Sequence, residues 1–372
     1  MRKIYLLLII TTFALLHSCV DSQRVLKSPD RNYKFAMANK WFNQKKFFEA
    51  VPVIEDLIGI YKGTDTAQML YLMLADCYFL NKEYTVAAYH YKTYKDLYSK
   101  TPQAELASFR LAECYEKQVP RLELEQRDTE KAIEYYSSFI SEYPNSVKVE
   151  EALNNSKKMK RILELKALQA ADLYYKTSNY RAAAVTYKNV ANKFPEIAEY
   201  EYLYYKIVKS NYKFAEQSIL KKQAERYETT MNEAQAFMNR FPKSSHLNEI
   251  KEVYNSSQLE WAKSSLKYAQ NHFPLDERII YFSDAMSIFK GIVIEVEKKP
   301  EWFNNYLDEC YLGILRSYFY IVDETKDETE RQTSKALFME NYYKFIDKFT
   351  IKSKELIKAE EMFKKINNQS NS

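Results

Sequence analysis

The sequence predicts an all-α protein in which antiparallel helix pairs stack into a superhelical array, with extra helices at the C-terminal end. Turn-forming residues are scarce, since only four Gly and nine Pro occur among 372 residues. Apolar residues recur at spacings of three and four along most of the chain, as they do on one face of a helix. Alanines also recur in pairs at a fixed separation, which indicates that one helical unit is repeated.

The first 18 residues have the pattern of a secretory signal peptide. Two basic residues precede an apolar run that is too short to span a bilayer. Leu16 and Ser18 stand before Cys19 in a pattern that resembles a bacterial lipobox, in which the Cys thiol receives a diacylglyceryl group. We therefore expect a lipid anchor at Cys19 and a polar tether over residues 19–30. The alternative is a plain signal peptide with a coincidental cysteine.

The location of the anchor follows from the residues after the cysteine. An acidic run in this place resembles the surface-export signal of some Gram-negative lipoproteins, and no such run follows Cys19. We therefore expect a lipid-anchored protein of the outer membrane that faces the periplasm.

Paired alanines mark the repeated unit. In the most regular segment, Glu164 to Pro195, two short helices bring small residues to the point where they cross, and Pro195 ends the second helix. Helical hairpins of about 34 residues with this pattern are typical of tetratricopeptide (TPR) repeats. Three alanine pairs lie twelve residues apart, namely Ala38 with Ala50, Ala75 with Ala87, and Ala171 with Ala183.

The third repeat carries an insertion between its two helices. Its alanines, Ala112 and Ala132, lie twenty residues apart, so eight extra residues fall within Lys117 to Glu130. Insertions in repeat arrays map to loops on one face, which is often a binding face. A tolerated surface loop is an equally good interpretation, because lengthening a loop costs little free energy.

A fifth, less regular repeat follows. The segment FMNRFPKS, which begins at Phe237, nearly copies the segment FISEYPNS, which begins at Phe139. We therefore predict five TPR-like repeats over residues 31–245. Five further amphipathic helices without TPR spacing form a predicted C-terminal extension over residues 246–372, the last of them a solvated cap.

The sequence contains no recognisable catalytic or metal-binding motif. Its four glycines are isolated, and the three histidines beyond the signal peptide lack metal-ligand spacing. The 55 basic and 50 acidic residues are spread along the chain, which argues against a nucleic-acid surface. We therefore predict a protein that is not an enzyme and that uses no cofactor or metal.

Two cysteines occupy equivalent places in consecutive repeats. Cys77 and Cys114 each precede a tyrosine of the first helix of their repeat, so the helices that carry them should be neighbours. A disulfide is conceivable in an oxidising compartment, but two buried free thiols are the expected state.

The combination of a lipobox, a short linker, five TPR-like units and FISEYPNS-like helix ends resembles the BamD family of outer-membrane assembly lipoproteins. The resemblance covers Cys19 to Ser245, and the helices beyond it exceed the usual length of the family. It implies a non-catalytic scaffold of the β-barrel assembly machinery. Such a scaffold would dock on a BamA-like barrel subunit with other machinery components and hold unfolded outer-membrane proteins near the insertion site.

A stacked TPR array predicts a peptide-binding groove lined by the first helix of each repeat. Aromatic residues with a few polar groups would suit aromatic-rich membrane β-strands, although some of these positions are expected to pack against the next repeat instead. The inward-facing positions counted from the paired alanines are Phe35, Asn39, Phe42, Leu72, Asp76, Phe79, Phe109, Glu113, Glu116, Leu168, Asp172 and Tyr175.

Two other functions fit the same pattern. A SusD-like glycan-binding lipoprotein also builds on TPR helices and stacks aromatic residues on sugars, but this chain lacks the Gly/Asn-rich insertions that would carry the sugar site. A general TPR adaptor of an envelope complex is the third interpretation.

Overall fold

The computed structural model describes residues 22–272, 275–298, 307–349 and 354–368. In these ranges the chain forms α-helices joined by short connections and contains no β-strand, which confirms the predicted all-α fold. The predicted signal peptide and the predicted lipidation site at Cys19 lie outside the described residues. Contacts divide the chain into two compact units that meet between Lys166 and Ala167.

The first unit holds three helix pairs and the start of a long seventh helix. Residues 22–26 form a short helical turn that buries Val25 against the first repeat. Helix α1 then begins after Asp30, whose side chain accepts hydrogen bonds from two backbone amides of the first turn. The helices are α1 (Arg31–Asn43), α2 (Phe47–Ile60), α3 (Asp65–Leu80), α4 (Tyr84–Leu97), α5 (Pro102–Lys117), α6 (Arg127–Glu142) and α7 (Val149–Lys176).

The second unit begins within α7, and its described residues form eight further helices. The pairs α7–α8 and α9–α10 are the fourth and fifth along the chain, and five more helices follow them. Their bounds are α8 (Tyr180–Lys193), α9 (Tyr200–Glu216), α10 (Leu220–Arg240), α11 (Leu247–His272), α12 (Leu275–Lys298), α13 (Leu307–Glu324), α14 (Glu328–Lys348) and α15 (Lys354–Asn368).

The paired alanines are buried in both helices of their repeats. All eight alanines of the first four pairs are fully buried, as expected for small residues between closely packed helices. The eight are Ala38, Ala50, Ala75, Ala87, Ala112, Ala132, Ala171 and Ala183. The alanine spacing therefore identified buried positions in both helices of each pair.

The turn between the two helices is the same in three repeats. Lys45, Lys82 and Ser178 each lie seven residues after the first alanine of their repeat, and each has a positive φ, between 59° and 65°. In all three turns the amide of the following residue donates to the carbonyl five residues before it, at 2.8 to 2.9 Å. This is the Schellman arrangement that ends many helices, and its left-handed position is one that glycine fills without strain.

The insertion of the third repeat is held to the body of the first unit. Gln126 is buried, and its amide donates to the carbonyls of Arg121 and Leu124, both at 3.0 Å. Thr129, also buried, donates to the Gln126 side chain at 2.6 Å. The ammonium group of Lys166 bonds the Leu124 carbonyl as well. The insertion is therefore a fixed part of the repeat.

Many of the buried apolar residues in the second unit lie on α12 and α13. Phe289 of α12 lies against Gly313 of α13, where a Cβ atom would stand 2.5 Å from the Phe289 ring. Only glycine allows this close approach. The three described cysteines, Cys77, Cys114 and Cys310, are buried free thiols, as expected for the first two.

Across the described residues, none of the helices is both long enough and apolar enough to cross a membrane.

Candidate functional site

The predicted groove residues of the first repeat lie on α1 and are half-buried. Phe35 and Phe42 pack against the core of their own repeat, with the Phe42 ring 6.0 Å from that of Phe47. The Asn39 amide donates back to the Phe35 carbonyl at 3.0 Å. This part of α1 therefore offers partly exposed aromatic surface with little charge.

The second repeat places Leu72, Asp76 and Phe79 on α3. Leu72 and Phe79 are half-buried against the core between the second and third repeats. Asp76 accepts a hydrogen bond from the hydroxyl of Tyr91 on α4. Burial raises the pKa of Asp76 above its usual value, although the Tyr91 hydrogen bond and the charge of Arg110 act in the opposite direction.

Arg110 of α5 joins the second and third repeats. Its guanidinium lies 4.8 Å from the centre of the Phe79 ring and 2.8 Å from the carboxylate of Glu113. Burial raises the pKa of Glu113, and Arg110 opposes that rise. The structure thus brings the predicted residues Asp76, Phe79 and Glu113 together around one cation.

The third repeat extends this arrangement. Phe109 is fully buried and packs on Phe139 at 5.3 Å, so it belongs to the core, while the Lys148 ammonium lies 4.4 Å from the centre of its ring. Glu116 accepts a hydrogen bond from Tyr136, whose hydroxyl also receives the amide of Asn155 at 3.2 Å. We call Asp76, Phe79, Arg110, Glu113, Glu116 and Lys148 the charged row.

One tyrosine-to-carboxylate bond recurs along the array. Four residues after the second alanine of the second, third and fourth repeats stands a buried tyrosine, whose hydroxyl donates to a carboxylate on the first helix of the same repeat. The three pairs are Tyr91 with Asp76, Tyr136 with Glu116, and Tyr187 with Asp172. Burial is the main cause that raises the pKa of each tyrosine, so the phenols stay protonated and able to donate. The first repeat lacks this bond. Ile54 stands where the other repeats have the tyrosine, and Asn39 stands where the second and fourth repeats have the aspartate.

In the second unit, the predicted residues lie on α7. Leu168 is a core residue, whereas Asp172 and Tyr175 are half-buried. Asp172 accepts from Tyr187 at 2.5 Å and from Tyr202 of α9 at 3.2 Å. These contacts fix the carboxylate between two helices.

Lys206 of α9 lies among three of these aromatic rings. Its ammonium is 3.2 Å from the centre of the Tyr175 ring and about 6 Å from those of Tyr187 and Tyr202. Burial lowers the pKa of Lys206, while the charge of Asp172 opposes that change. Cation–π contact and a nearby carboxylate together hold the ammonium in place.

The residues that prediction missed are mostly cations. The alanine spacing predicted the positions three residues before, one after and four after the first alanine of each repeat, and Arg110, Lys148 and Lys206 are not among them. The buried tyrosines had a readable signal, since an Ala-x-x-x-Tyr pattern recurs at Tyr91, Tyr136 and Tyr187. No sequence signal marks the three cations, because lysines and arginines occur on every face of these helices.

The part of the chain that is described contains no group of three or more His, Cys, Asp and Glu side chains placed to hold a metal ion.

The helix pairs, their buried alanines and their shared turns define the class: this is a TPR repeat protein, and proteins of this class are typically scaffolds or adaptors. A family model described as outer membrane lipoprotein, YfiO, matches residues 28–211. YfiO is the BamD family, and the matched residues make up just under half of the chain, so the match confirms the predicted resemblance to BamD-like TPR lipoproteins.

Other comparisons give more distant likenesses. No curated protein matches the chain. The TPR2AB domain of yeast Sti1 in its pHSP90 complex is 13% identical with a TM-score of 0.31, and the match covers 77% of this chain and 97% of that one. A TPR protein from Parabacteroides merdae is 11% identical with a TM-score of 0.26, covering 90% and 98%. The C-terminal part of a TPR protein from Cytophaga hutchinsonii is 11% identical with a TM-score of 0.25, covering 87% and 98%.

Proposed function

We propose that this protein is a periplasm-facing scaffold of the β-barrel assembly machinery, without catalytic activity of its own. Its TPR helices would bind a BamA-like barrel subunit and segments of unfolded outer-membrane proteins. A lipid on Cys19 would hold the scaffold at the inner surface of the outer membrane. The match of residues 28–211 to the outer membrane lipoprotein family supports the proposed location at the outer membrane.

The charged row of the first unit is the observation that supports binding of unfolded outer-membrane proteins. Phe79 offers a partly exposed ring beside Arg110, and Asp76, Glu113 and Glu116 place carboxylates along the same helices. A ring next to fixed charges of both signs suits a peptide that alternates aromatic and polar side chains, as membrane β-strands do. Because Tyr91 and Tyr136 hold two of the carboxylates, the row is ordered before any peptide arrives, which lowers the entropy cost of binding.

Site-directed photocross-linking tests this proposal. Benzoylphenylalanine placed at Phe79 should cross-link to an unfolded barrel protein in cells that express the full lipoprotein. Tyr89 is the matched control, because it is an exposed aromatic residue on the second helix of the same repeat. Cross-links from position 89 that equal those from position 79 would contradict the proposed surface.

Depletion of the protein tests the wider role. Loss of many different outer-membrane barrels, together with recovery of a BamA-like subunit when the protein is purified from membranes, is the expected result. Loss of growth on a single polysaccharide with normal barrel levels would instead favour the glycan-binding function. An envelope defect with normal barrels and normal polysaccharide use would favour a general adaptor.

A further inference from the structure

A cleft in the second unit is lined by residues that have no part in the proposed scaffold function. It lies between α11, α12, α13 and α15 and has a volume of about 520 Å³. Openings of a few hundred cubic ångströms are the size that small-molecule ligands occupy. The cleft lies beyond residue 211, where the match to the outer membrane lipoprotein family ends.

The floor of the cleft is apolar. Phe289 of α12 is almost completely buried and lies against Gly313 of α13, whose missing side chain lets the ring reach the helix backbone. Leu266 and Leu312 are also buried and line the same floor. An apolar or aromatic group could rest on this floor without displacing a charged side chain.

The two long helices that flank the cleft present lining residues at matching intervals. The lining residues of α11 are at positions 263, 266, 267 and 270, and those of α13 at 309, 312, 313 and 316, which is the same spacing. An ion pair between Lys263 and Glu309 joins the first position of each set.

The rim of the cleft carries an excess of positive charge. Lys263 and Glu309 satisfy each other, with Glu260 as a second partner of Lys263 at 3.0 Å. Within the described part of the chain, by contrast, Lys267, Arg316 and Lys358 have no carboxylate partner. The acidic side chain that remains on the rim is Glu355, so the groups without partners sum to a charge of +2.

We propose that this cleft binds a small phosphate ester that carries an apolar or aromatic substituent. The substituent rests on Phe289, and the phosphate lies between Lys267, Arg316 and Lys358, with the Gln270 amide as a further donor. A dianionic phosphate matches the +2 charge of the rim, whereas a single carboxylate would leave one cation without a partner. The forked guanidinium of Arg316 suits two phosphate oxygens at once.

Isothermal titration calorimetry of the full chain with phenyl phosphate tests the proposal. Phenyl phosphate should bind, and benzyl alcohol, which keeps the ring without the phosphate, should bind far more weakly. Arg316→Gln should weaken phenyl phosphate binding about tenfold or more, because a charged hydrogen-bond donor is lost. Lys364→Gln on the same helix as Lys358 is the control, since Lys364 is exposed outside the cleft, and it should leave the affinity unchanged.

A second variant separates binding from damage to the fold. Glu355→Gln removes the acidic side chain of the rim without a partner and should tighten phenyl phosphate binding, a gain that misfolding cannot produce. The proposal is overturned if phenyl phosphate does not bind at millimolar concentration. It is equally overturned if Arg316→Gln binds as well as the unaltered chain, or if benzyl alcohol binds as tightly as phenyl phosphate.

Discussion

The hydroxyl of Tyr187 donates to the carboxylate of Asp172 at 2.5 Å, across the two helices of the fourth repeat. The same bond joins Tyr91 to Asp76 and Tyr136 to Glu116. A buried phenol thus orients an acidic side chain at the surface of three successive repeats. The stability of each repeat and the charge of its surface are therefore coupled.

Removing this hydroxyl should destabilise the protein. Tyr187→Phe leaves Asp172 half-buried with Tyr202 as its remaining hydroxyl donor, at 3.2 Å. We expect the free energy of unfolding to fall by about 1.5–3 kcal/mol, as for the loss of a hydrogen bond to a charged group. Urea unfolding followed by circular dichroism measures it. Tyr89→Phe is the control, because Tyr89 is exposed and should show no change.

Replacing Arg110 should make the free energy of unfolding depend more strongly on pH. Arg110→Gln removes the cation that opposes the upward pKa shifts of Asp76 and Glu113, so both pKa values should rise further. A carboxyl group whose folded pKa is raised binds its proton more tightly in the folded state, so stability increases as pH falls through that pKa. The variant should therefore be less stable than the original chain at pH 7 and should recover part of that loss near pH 5.

Urea midpoints measured across this pH range test the Arg110 prediction. Arg127→Gln is the matched control, because Arg127 and its partner Glu125 are both largely exposed. An equal loss of stability at both pH values would show that Arg110 acts through packing alone.

The shared turn position should tolerate glycine better than its native residue. Lys82 holds a φ of 65°, which strains a side-chain-bearing residue. Lys82→Gly should therefore raise the free energy of unfolding by about 0.5–1 kcal/mol, after the entropy cost of glycine is subtracted. Lys92→Gly, at an exposed place within α4, should lower it by about 1 kcal/mol. Thermal unfolding distinguishes them, and a loss with Lys82→Gly would contradict the strain argument.

The contact between α12 and α13 should not accept an added methyl group. Gly313→Ala would place its Cβ 2.5 Å from the Phe289 ring, and such overpacking costs about 1–3 kcal/mol. Gly291→Ala is the control in the same unit, because nothing lies within 4 Å of its added Cβ. That change should stabilise α12 by about 0.5–1 kcal/mol. The melting temperature should fall for Gly313→Ala and rise for Gly291→Ala. Equal changes would contradict the close contact between Gly313 and the Phe289 ring.

The described thiols should be inert in the folded protein. Burial raises the pKa of Cys77, Cys114 and Cys310 to about 12 in each case, so little thiolate forms at pH 8. Ellman's reagent should leave all three unmodified until urea unfolds the chain. Mass spectrometry of peptides after partial reaction identifies any that react early, and fast labelling of Cys77 or Cys114 in native buffer would argue against their burial.

The sequence predicted the repeat fold well because its signal is local. Alanine must stand where two helices cross, so the spacing of Ala75 and Ala87 directly records the geometry of a hairpin. The candidate surface was harder to predict, because Arg110 contacts Phe79 from a neighbouring repeat and no spacing within one repeat encodes that contact. Phe109 shows the same limit, since its place on α5 suggested a surface position and its burial depends on Phe139 of α6.

The insertion after α5 is tied down by Gln126, Thr129 and Lys166. A protease must draw a stretch of chain into an extended form before it can cut, and that requires the stretch to open locally. Here opening would break the bonds to Gln126 and expose a buried amide. The longest turn of the first unit is therefore a poor place for nicking, and limited digestion of the native protein should leave the bond between Leu124 and Glu125 intact.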